Sequence, residues 1–212
     1  KDRGWVTGGA WRRKARLGEP LVVEGVRASA TAPHVISGLQ IGSGGPSCIE
    51  VRDCRHVTIR GNRLRECCCP HAEKEFYNGR DGYAILVGGS TDIAIEENIV
   101  EDCTMGIGVY ASSRVRVMRN TVRGTQGRNS LRLERVADAW IEANELVDNG
   151  TPETFWAPGH RDIGIHVVRS DGVTVCDNVV VRSTSDGIAI SGQIDGGGLT
   201  TSQSDWRGTC SD

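Results

Sequence analysis

One short pattern of apolar and polar residues is repeated along the chain. Apolar and polar residues alternate, an Asn follows them, and another apolar residue stands two positions after the Asn. Successive copies in the regular part of the chain place this Asn 22 residues apart (98 to 120) and 24 residues apart (120 to 144). Alternation with a period of two predicts β-strands, and a fixed repeat of about this length predicts a β-solenoid. The pattern occurs with its Asn at the following five positions: Asn62, Asn98, Asn120, Asn144 and Asn178.

Each repeat also carries a second apolar run after its bend. These runs are Cys48 to Asp53, Tyr83 to Gly88, Met105 to Tyr110, Ser130 to Val136, Ile163 to Val168 and Ile188 to Ser191. We therefore expect three strands in each coil, which stack into three parallel sheets.

Two weaker copies precede the first Asn, one with Leu39 and one with Gly9 in the Asn position (36–41 and 6–11). They predict two further coils, which could form a distorted cap, and about seven coils in all. The chain then forms a single domain with an N-terminal coil or cap (1–34), regular coils (35–192) and a C-terminal tail (193–212).

The Asn position has a physical explanation. An Asn at a sharp bend tolerates left-handed backbone geometry, and its amide can bond the same Asn one coil away, at about 4.8 Å. Stacked Asn residues with three short strands per coil resemble the right-handed parallel β-helix family, the pectate-lyase-like solenoids. The resemblance covers roughly residues 35–192 and implies the architecture. Members of that family serve as lyases, hydrolases, epimerases, tailspikes, copper-binding proteins and spacers, so activity has to be argued from the site.

Two insertions interrupt the repeat at the same corner of the coil. The Asn spacing rises to 36 (62 to 98) and to 34 (144 to 178), and the extra residues are 68–82 and 150–162. They should form two walls three coils apart, about 14 Å along the axis. Aromatic residues in these walls could stack on sugar rings or could instead fill gaps under their own loops. The insertion residues predicted to bind substrate are Phe76, Tyr77, Phe155, Trp156, His160 and Arg161.

The floor between the walls is predicted from the alternation of the strand that follows each insertion corner. Apolar residues such as Ile107 and Val109 point inward, so the residues between and after them point outward. The first outward column is Glu50, Leu86, Gly108, Arg132, His166 and Ala189. The second outward column is Arg52, Gly88, Tyr110, Glu134, Val168 and Ser191.

Four polar residues meet on this floor and are the predicted catalytic residues, namely Tyr110, Arg132, Glu134 and His166. An Arg can pair with a uronate carboxylate and stabilise the charge that develops when the adjacent C–H is removed. A His or Tyr within reach can take that proton or give one to the leaving oxygen. We therefore predict a polysaccharide lyase that acts by β-elimination, with His166 or Tyr110 as base and acid and Arg132 as carboxylate clamp. Glu50 and Arg52, in the same two columns, are predicted to bind substrate.

Other interpretations stay open. A solvated sheet face, on which Arg132 and Glu134 form an exposed pair worth little, would make the chain a non-catalytic carbohydrate-binding or structural solenoid. A glycoside hydrolase would need two carboxylates about 5 to 9.5 Å apart, such as Glu134 with Glu50 or Asp162. A periplasmic metal-binding protein is disfavoured, because the run CCCPH (67–71) lacks the two-residue spacing that metal sites favour between cysteines.

Composition narrows the partners. A net charge of -2 gives no electrostatic footprint for nucleic acid or an anionic membrane, and no run approaches the roughly 20 apolar residues of a membrane span. An acidic polysaccharide or oligosaccharide is the expected partner. No cofactor or metal is predicted. Calcium binding is possible, but no sequence motif indicates it because the GGxGxD repeat is absent.

The cysteines indicate the compartment. Eight Cys favour an oxidising environment, so we expect an extracellular or periplasmic protein. Cys67 and Cys103 each follow their Asn by five residues, so they should be neighbours in a disulfide or in a stack of buried thiols. A bridge between Cys176 and Cys210 would pin the tail.

Overall fold

The computed structural model describes residues 20–42, 47–67, 82–127, 129–150, 163–184 and 186–191, and the backbone of residues 5–7, 200–201 and 206–207. Among these residues there are 22 strands, β1 to β22, and no helix. No helix of the described chain could therefore span a membrane.

The strands form three sheets. Sheet A contains β1 (Trp5–Thr7), β4 (Gln40–Gly42), β7 (Arg63–Arg65), β10 (Ile99–Glu101), β13 (Thr121–Arg123), β16 (Glu145–Asn149), β19 (Val179–Ser183) and β22 (Trp206–Arg207). Sheet B contains β2 (Leu21–Glu24), β5 (Ile49–Arg52), β8 (Tyr83–Gly88), β11 (Met105–Tyr110), β14 (Asn129–Glu134), β17 (Ile163–Val168), β20 (Ile188–Ser191) and β21 (Thr200–Thr201). Sheet C contains β3 (His34–Ser37), β6 (Arg55–Arg60), β9 (Thr91–Glu96), β12 (Ser113–Met118), β15 (Ala137–Glu142) and β18 (Asp171–Cys176).

The chain visits the sheets in the order B, C, A and then starts the next coil. Seven successive strands of sheet B, from β2 to β20, pair in parallel with the strand one coil away. The alternate apolar residues point into the coil, and Ile85, Val87, Ile107 and Val109 have no exposed surface. The predicted all-β parallel helix is confirmed, and its core is a stack of thin aliphatic layers.

The predicted Asn ladder is also confirmed. Each Nδ2 donates to the Asn Oδ1 of the next coil, at 2.9 Å from Asn62 to Asn98, 3.0 Å from Asn98 to Asn120, 3.0 Å from Asn120 to Asn144 and 2.8 Å from Asn144 to Asn178. The ladder ends at Leu39, whose N–H donates to Asn62 Oδ1 at 3.0 Å. Leu39 has no amide side chain with which to continue it.

The expected left-handed geometry lies one residue away from the Asn. The residue before each ladder Asn has positive φ, for example Glu97 (57°), Arg119 (53°) and Ala143 (53°), whereas the Asn residues do not. The Asn points into the coil, where its Nδ2 also donates to a carbonyl of the preceding coil, as Asn98 does to Ile59 at 2.9 Å. The bend is therefore made by the preceding residue.

The N-terminal prediction is wrong in one respect. β1 runs antiparallel to β4, with Val6 opposite Ile41, so Trp5–Thr7 is not a parallel strand of a first coil. A strand that runs in the opposite direction cannot pass the chain to a next parallel layer. At the other end, β21 and β22 pair antiparallel with β20 and β19. Such reversals cover strand edges that would otherwise template further pairing.

The cysteine pairing differs from both alternatives predicted, a disulfide between Cys67 and Cys103 or a stack of two buried thiols. Cys67 forms a disulfide with Cys48, with a Cα–Cα distance of 5.5 Å, and not with Cys103. Cys103 is a buried free thiol whose Sγ accepts a hydrogen bond from the Cys67 N–H at 3.3 Å, so the two are neighbours as expected. Cys176 is disulfide-bonded, and both Cys210 and the partner of Cys176 lie outside the described residues.

Candidate functional site

The outward face of sheet B has the register that the alternation predicts. In the first column, Gly108 lies between Leu86 and Arg132, and Arg132 lies beside His166. In the second column, Tyr110 lies between Gly88 and Glu134. The polar residues therefore come together on adjacent coils because parallel pairing fixes their order.

Arg132 and Glu134 form an ion pair on β14. Arg132 Nη2 donates to Glu134 Oε2 at 2.8 Å, and the side chains are 22% and 23% exposed. Burial lowers the pKa of Arg132, but Tyr83, Tyr110 and Glu134 raise it above its ordinary value, so the guanidinium stays charged. Its Nε–H is buried and has no hydrogen-bond partner among the described residues. The guanidinium thus has a donor available beyond the one that binds Glu134.

His166 is half-buried beside this ion pair. Its Nε2 lies 2.8 Å from Ser191 Oγ, and its Nδ1 is buried without a hydrogen-bond partner in the described part of the chain. Burial and the positive charge of Arg132 lower its pKa to about 4, against opposing contributions from Glu134 and Asp186. The imidazole is therefore neutral at pH 7, and one ring nitrogen can accept a proton.

A pair of tyrosines covers part of the predicted floor. Tyr110 Oη donates to Tyr83 Oη at 3.0 Å, and the ring centroids lie 5.9 Å apart in an edge-to-face arrangement. Tyr110 is only 7% exposed and Leu86 9%, although both point outward from the core. The floor is not solvated at these two positions, because Tyr83, Leu86 and Tyr110 form a small buried cluster on the outside of sheet B, with Met105 packed against it.

Tyr83 is a site residue that sequence reasoning missed. Its ring lies over Gly108, where an added Cβ would be 2.8 Å from Tyr83 Cγ. Burial and the neighbouring Tyr110 hydroxyl raise the pKa of Tyr83 well above its ordinary value. A Gly in a column of larger outward residues was the available signal, since it leaves room for a ring. Ser191, the partner of His166, stood in the predicted column without an assigned role.

Glu50 and Arg52 lie apart from the centre of the site. They form their own ion pair, with the Glu50 side chain 6% exposed and that of Arg52 53% exposed. Three coils separate Glu50 from Arg132, about 14 Å along the axis. Glu134 lies on the same strand as Arg132, so its carboxylate and that of Glu50 are separated by about the same distance, which exceeds the roughly 5 to 9.5 Å between the two carboxylates of a glycoside hydrolase. Each of the two carboxylates also pairs with a different Arg.

The residues predicted for the two walls lie outside the described residues, as does Asp162. They are Phe76, Tyr77, Phe155, Trp156, His160 and Arg161. Within the described part of the chain, no group of three or more His, Cys, Asp or Glu side chains is arranged to hold a metal ion.

The geometry of the described site suits proton transfer next to a fixed positive charge. A neutral imidazole lies one strand from a guanidinium, and a phenol lies one strand away on the other side of the Arg132–Glu134 pair. These groups can bind an anion, accept a proton and donate one.

Comparison with known proteins agrees with the architecture. Neither the curated proteins nor the solved structures gave a match. The family model described as "Right handed beta helix region" matches residues 24–202, which is most of the chain. The parallel coils and the three sheets agree with this match, and the chain belongs to the right-handed β-helix family.

Proposed function

We propose that the chain is a carbohydrate-active β-helix protein that cleaves a uronate-containing polysaccharide by β-elimination at Arg132 and His166. The observation that carries the proposal is the adjacent pairing of these residues, with a neutral His166 whose buried Nδ1 has no hydrogen-bond partner among the described residues. A buried polar atom without a partner costs stability, so its retention favours a role with a ligand.

Each residue has a defined role in this reaction. Arg132 binds the uronate carboxylate with donors not used by Glu134 and stabilises the charge that spreads into the carboxylate as the C5 proton leaves. His166 takes the C5 proton, the C5–H electron pair becomes the C4–C5 double bond, and the C4–O glycosidic bond breaks. Tyr110 gives its hydroxyl proton to the leaving oxygen and later regains one from water.

The disulfide between Cys48 and Cys67 supports the proposed location. Disulfides persist in oxidising compartments, so we propose an extracellular or periplasmic protein whose partner is an acidic polysaccharide.

The test is the ultraviolet absorbance of the unsaturated uronate product, measured over pectin, alginate and glycosaminoglycans. We expect activity on one of them, with kcat lowered about 100-fold or more in His166→Ala and in Arg132→Gln. Matched controls are His56→Asn, which keeps a residue tolerant of the positive φ at that position (54°), and Arg123→Gln, whose exposed pair with Glu145 lies on sheet A. Equal losses in controls and site variants would contradict the assignment of these roles.

A specific observation favours a second candidate, a non-catalytic carbohydrate-binding or structural solenoid. Tyr110 and Tyr83 are buried and bonded to each other, and Arg132 is bonded to Glu134, so much of the site is satisfied internally. No activity on any polymer, with binding that survives His166→Ala and Arg132→Gln but not Trp156→Ala, would establish the binder and refute the lyase.

A further inference from the structure

Sheet C, which does not contribute to the sheet B site, carries an exposed indole. Trp140 is 43% exposed on β15, among the most exposed large apolar side chains in the described part of the chain. Its Nε1–H donates to Glu142 Oε2 at 2.7 Å, so the indole extends along its own strand in a fixed orientation. An apolar ring held in place and open to solvent is a ready surface for a flat apolar ligand face.

A cation lies next to this indole. Arg116, on the neighbouring strand β12, is directly opposite Trp140 in the parallel register and is exposed. Two other arginines around sheet C are paired, Arg114 with Asp92 at 2.6 Å and Arg119 with Glu97 at 3.3 Å. No acidic side chain in the described residues pairs with Arg116. Its charge is therefore available to a ligand.

The surface beside Arg116 is shallow. Ala94 and Thr58 precede Arg116 in the same outward column, and Thr174 follows Trp140. Short side chains spaced by about 4.8 Å leave a shelf that runs along the solenoid axis. An extended chain of rings can lie on such a shelf without a deep pocket.

We propose that Trp140 and Arg116 form a second binding site, separate from the sheet B site, for an oligosaccharide that carries carboxylates. The apolar C–H face of a sugar ring packs on the indole, and the carboxylate of that ring or its neighbour pairs with Arg116. The proposal does not depend on elimination chemistry, because it uses another sheet and no proton transfer.

The charges on the face favour a glycan over a nucleic acid. Two acidic residues lie on this face, Glu142 beside the indole and Glu96 two coils earlier in the same column of sheet C. The whole chain carries a net charge of -2. A phosphate at every nucleotide would meet this repulsion repeatedly, whereas one cation suffices for a single carboxylate.

The experiment is calorimetric titration of the full chain with oligogalacturonate, oligomannuronate and hyaluronan fragments, and with neutral cello-oligosaccharide and a single-stranded oligonucleotide as contrasts. We expect one or more of the uronate probes to bind, with affinity reduced about tenfold in Trp140→Ala and about fivefold or more in Arg116→Gln. The loss in Arg116→Gln should shrink in 0.5 M salt, a concentration at which the screening length is roughly 4 Å.

Matched controls locate the binding. Ile99→Ala removes a similarly exposed apolar side chain (40%) from sheet A, and we expect it to bind like the wild type. Arg132→Gln separates the two sites, since it disables the sheet B site and should leave sheet C binding in place. The two proposals can therefore fail independently.

Several outcomes would overturn the proposal. They are no binding of any uronate probe, equal binding of the neutral probe or the oligonucleotide, or loss of binding in Arg132→Gln but not in Trp140→Ala. Sedimentation of the wild type and Trp140→Ala gives a further check. A wild-type dimer that becomes monomeric in Trp140→Ala would show that a second copy of the chain occupies the face.

Discussion

Replacing Gly108 with alanine tests how the tyrosine pair is held on sheet B. An added Cβ would lie 2.8 Å from Tyr83 Cγ and 2.9 Å from both Cδ atoms. Carbon atoms in contact normally lie about 3.5 to 4.0 Å apart, so the ring must retreat by roughly 0.7 to 1 Å. Tyr83 is only 1% exposed, so a shift of its ring displaces the groups packed around it. The substitution therefore overpacks the cluster.

The expected magnitude follows from that displacement. Overpacking a filled site costs about 1 to 3 kcal/mol, which lowers Tm by about 2 to 12 °C in a chain of this size. A retreat of roughly 0.7 Å can also break the bond of 3.0 Å between the hydroxyls of Tyr110 and Tyr83. If Tyr110 is the acid, kcat should fall together with stability.

The assay is equilibrium unfolding in urea, compared at equal m-values. Gly88→Ala is the matched control, since Gly88 lies beside Tyr110 on the same face and an added Cβ meets nothing within 4 Å. It should change the unfolding free energy by less than about 1 kcal/mol and can stabilise the chain slightly. In a Tyr83→Ala background, Gly108→Ala should lose its cost, because the clashing ring is gone.

Two results would refute this reasoning. Equal effects of Gly108→Ala and Gly88→Ala would show that the Tyr83 ring does not fill the space over Gly108. An unchanged cost of Gly108→Ala in the Tyr83→Ala background would place the strain elsewhere, in the backbone of β11.

Four further predictions concern buried groups. The unfolding free energy should fall by on the order of 1 to 2 kcal/mol as pH drops from about 6.5 to 4, because burial and Arg132 hold the folded-state pKa of His166 at about 4 while the unfolded chain protonates near 6.5. His166→Gln should show a shallower pH dependence in urea unfolding, and parallel curves would contradict the pKa shift. Asn120→Ala leaves the buried backbone N–H of Asn98 and the buried carbonyl of Ile95 without partners, so the unfolding free energy measured in urea should fall by about 2 to 5 kcal/mol. A loss below about 1 kcal/mol would mean that the coils repack. Reducing the Cys48–Cys67 disulfide should cost about 2 to 4 kcal/mol in thermal or urea unfolding, and an unchanged midpoint would contradict it. Free Cys103, whose pKa burial raises to about 12, should resist iodoacetamide in the folded chain, and its labelling in mass spectra would refute this.

The sequence by itself determined the coils. Alternation placed Ile107 and Val109 inside, and the regular Asn spacing fixed which residues meet in adjacent coils. Parallel stacking repeats one register, so a single pattern along the chain defined the order of the outward columns. The repeat alone therefore predicts that Arg132 lies beside His166, as the register of β14 and β17 confirms.

The tertiary structure alone decided how side chains on one face fill the space between them. Tyr83 covers Gly108, and Cys67 joins Cys48 in preference to the neighbouring Cys103. Alternation states which side of a strand a residue takes, but rotamers and volumes decide its contacts there. The same reason explains why the outward Tyr110 is buried while the outward Trp140, on another sheet, is open to solvent.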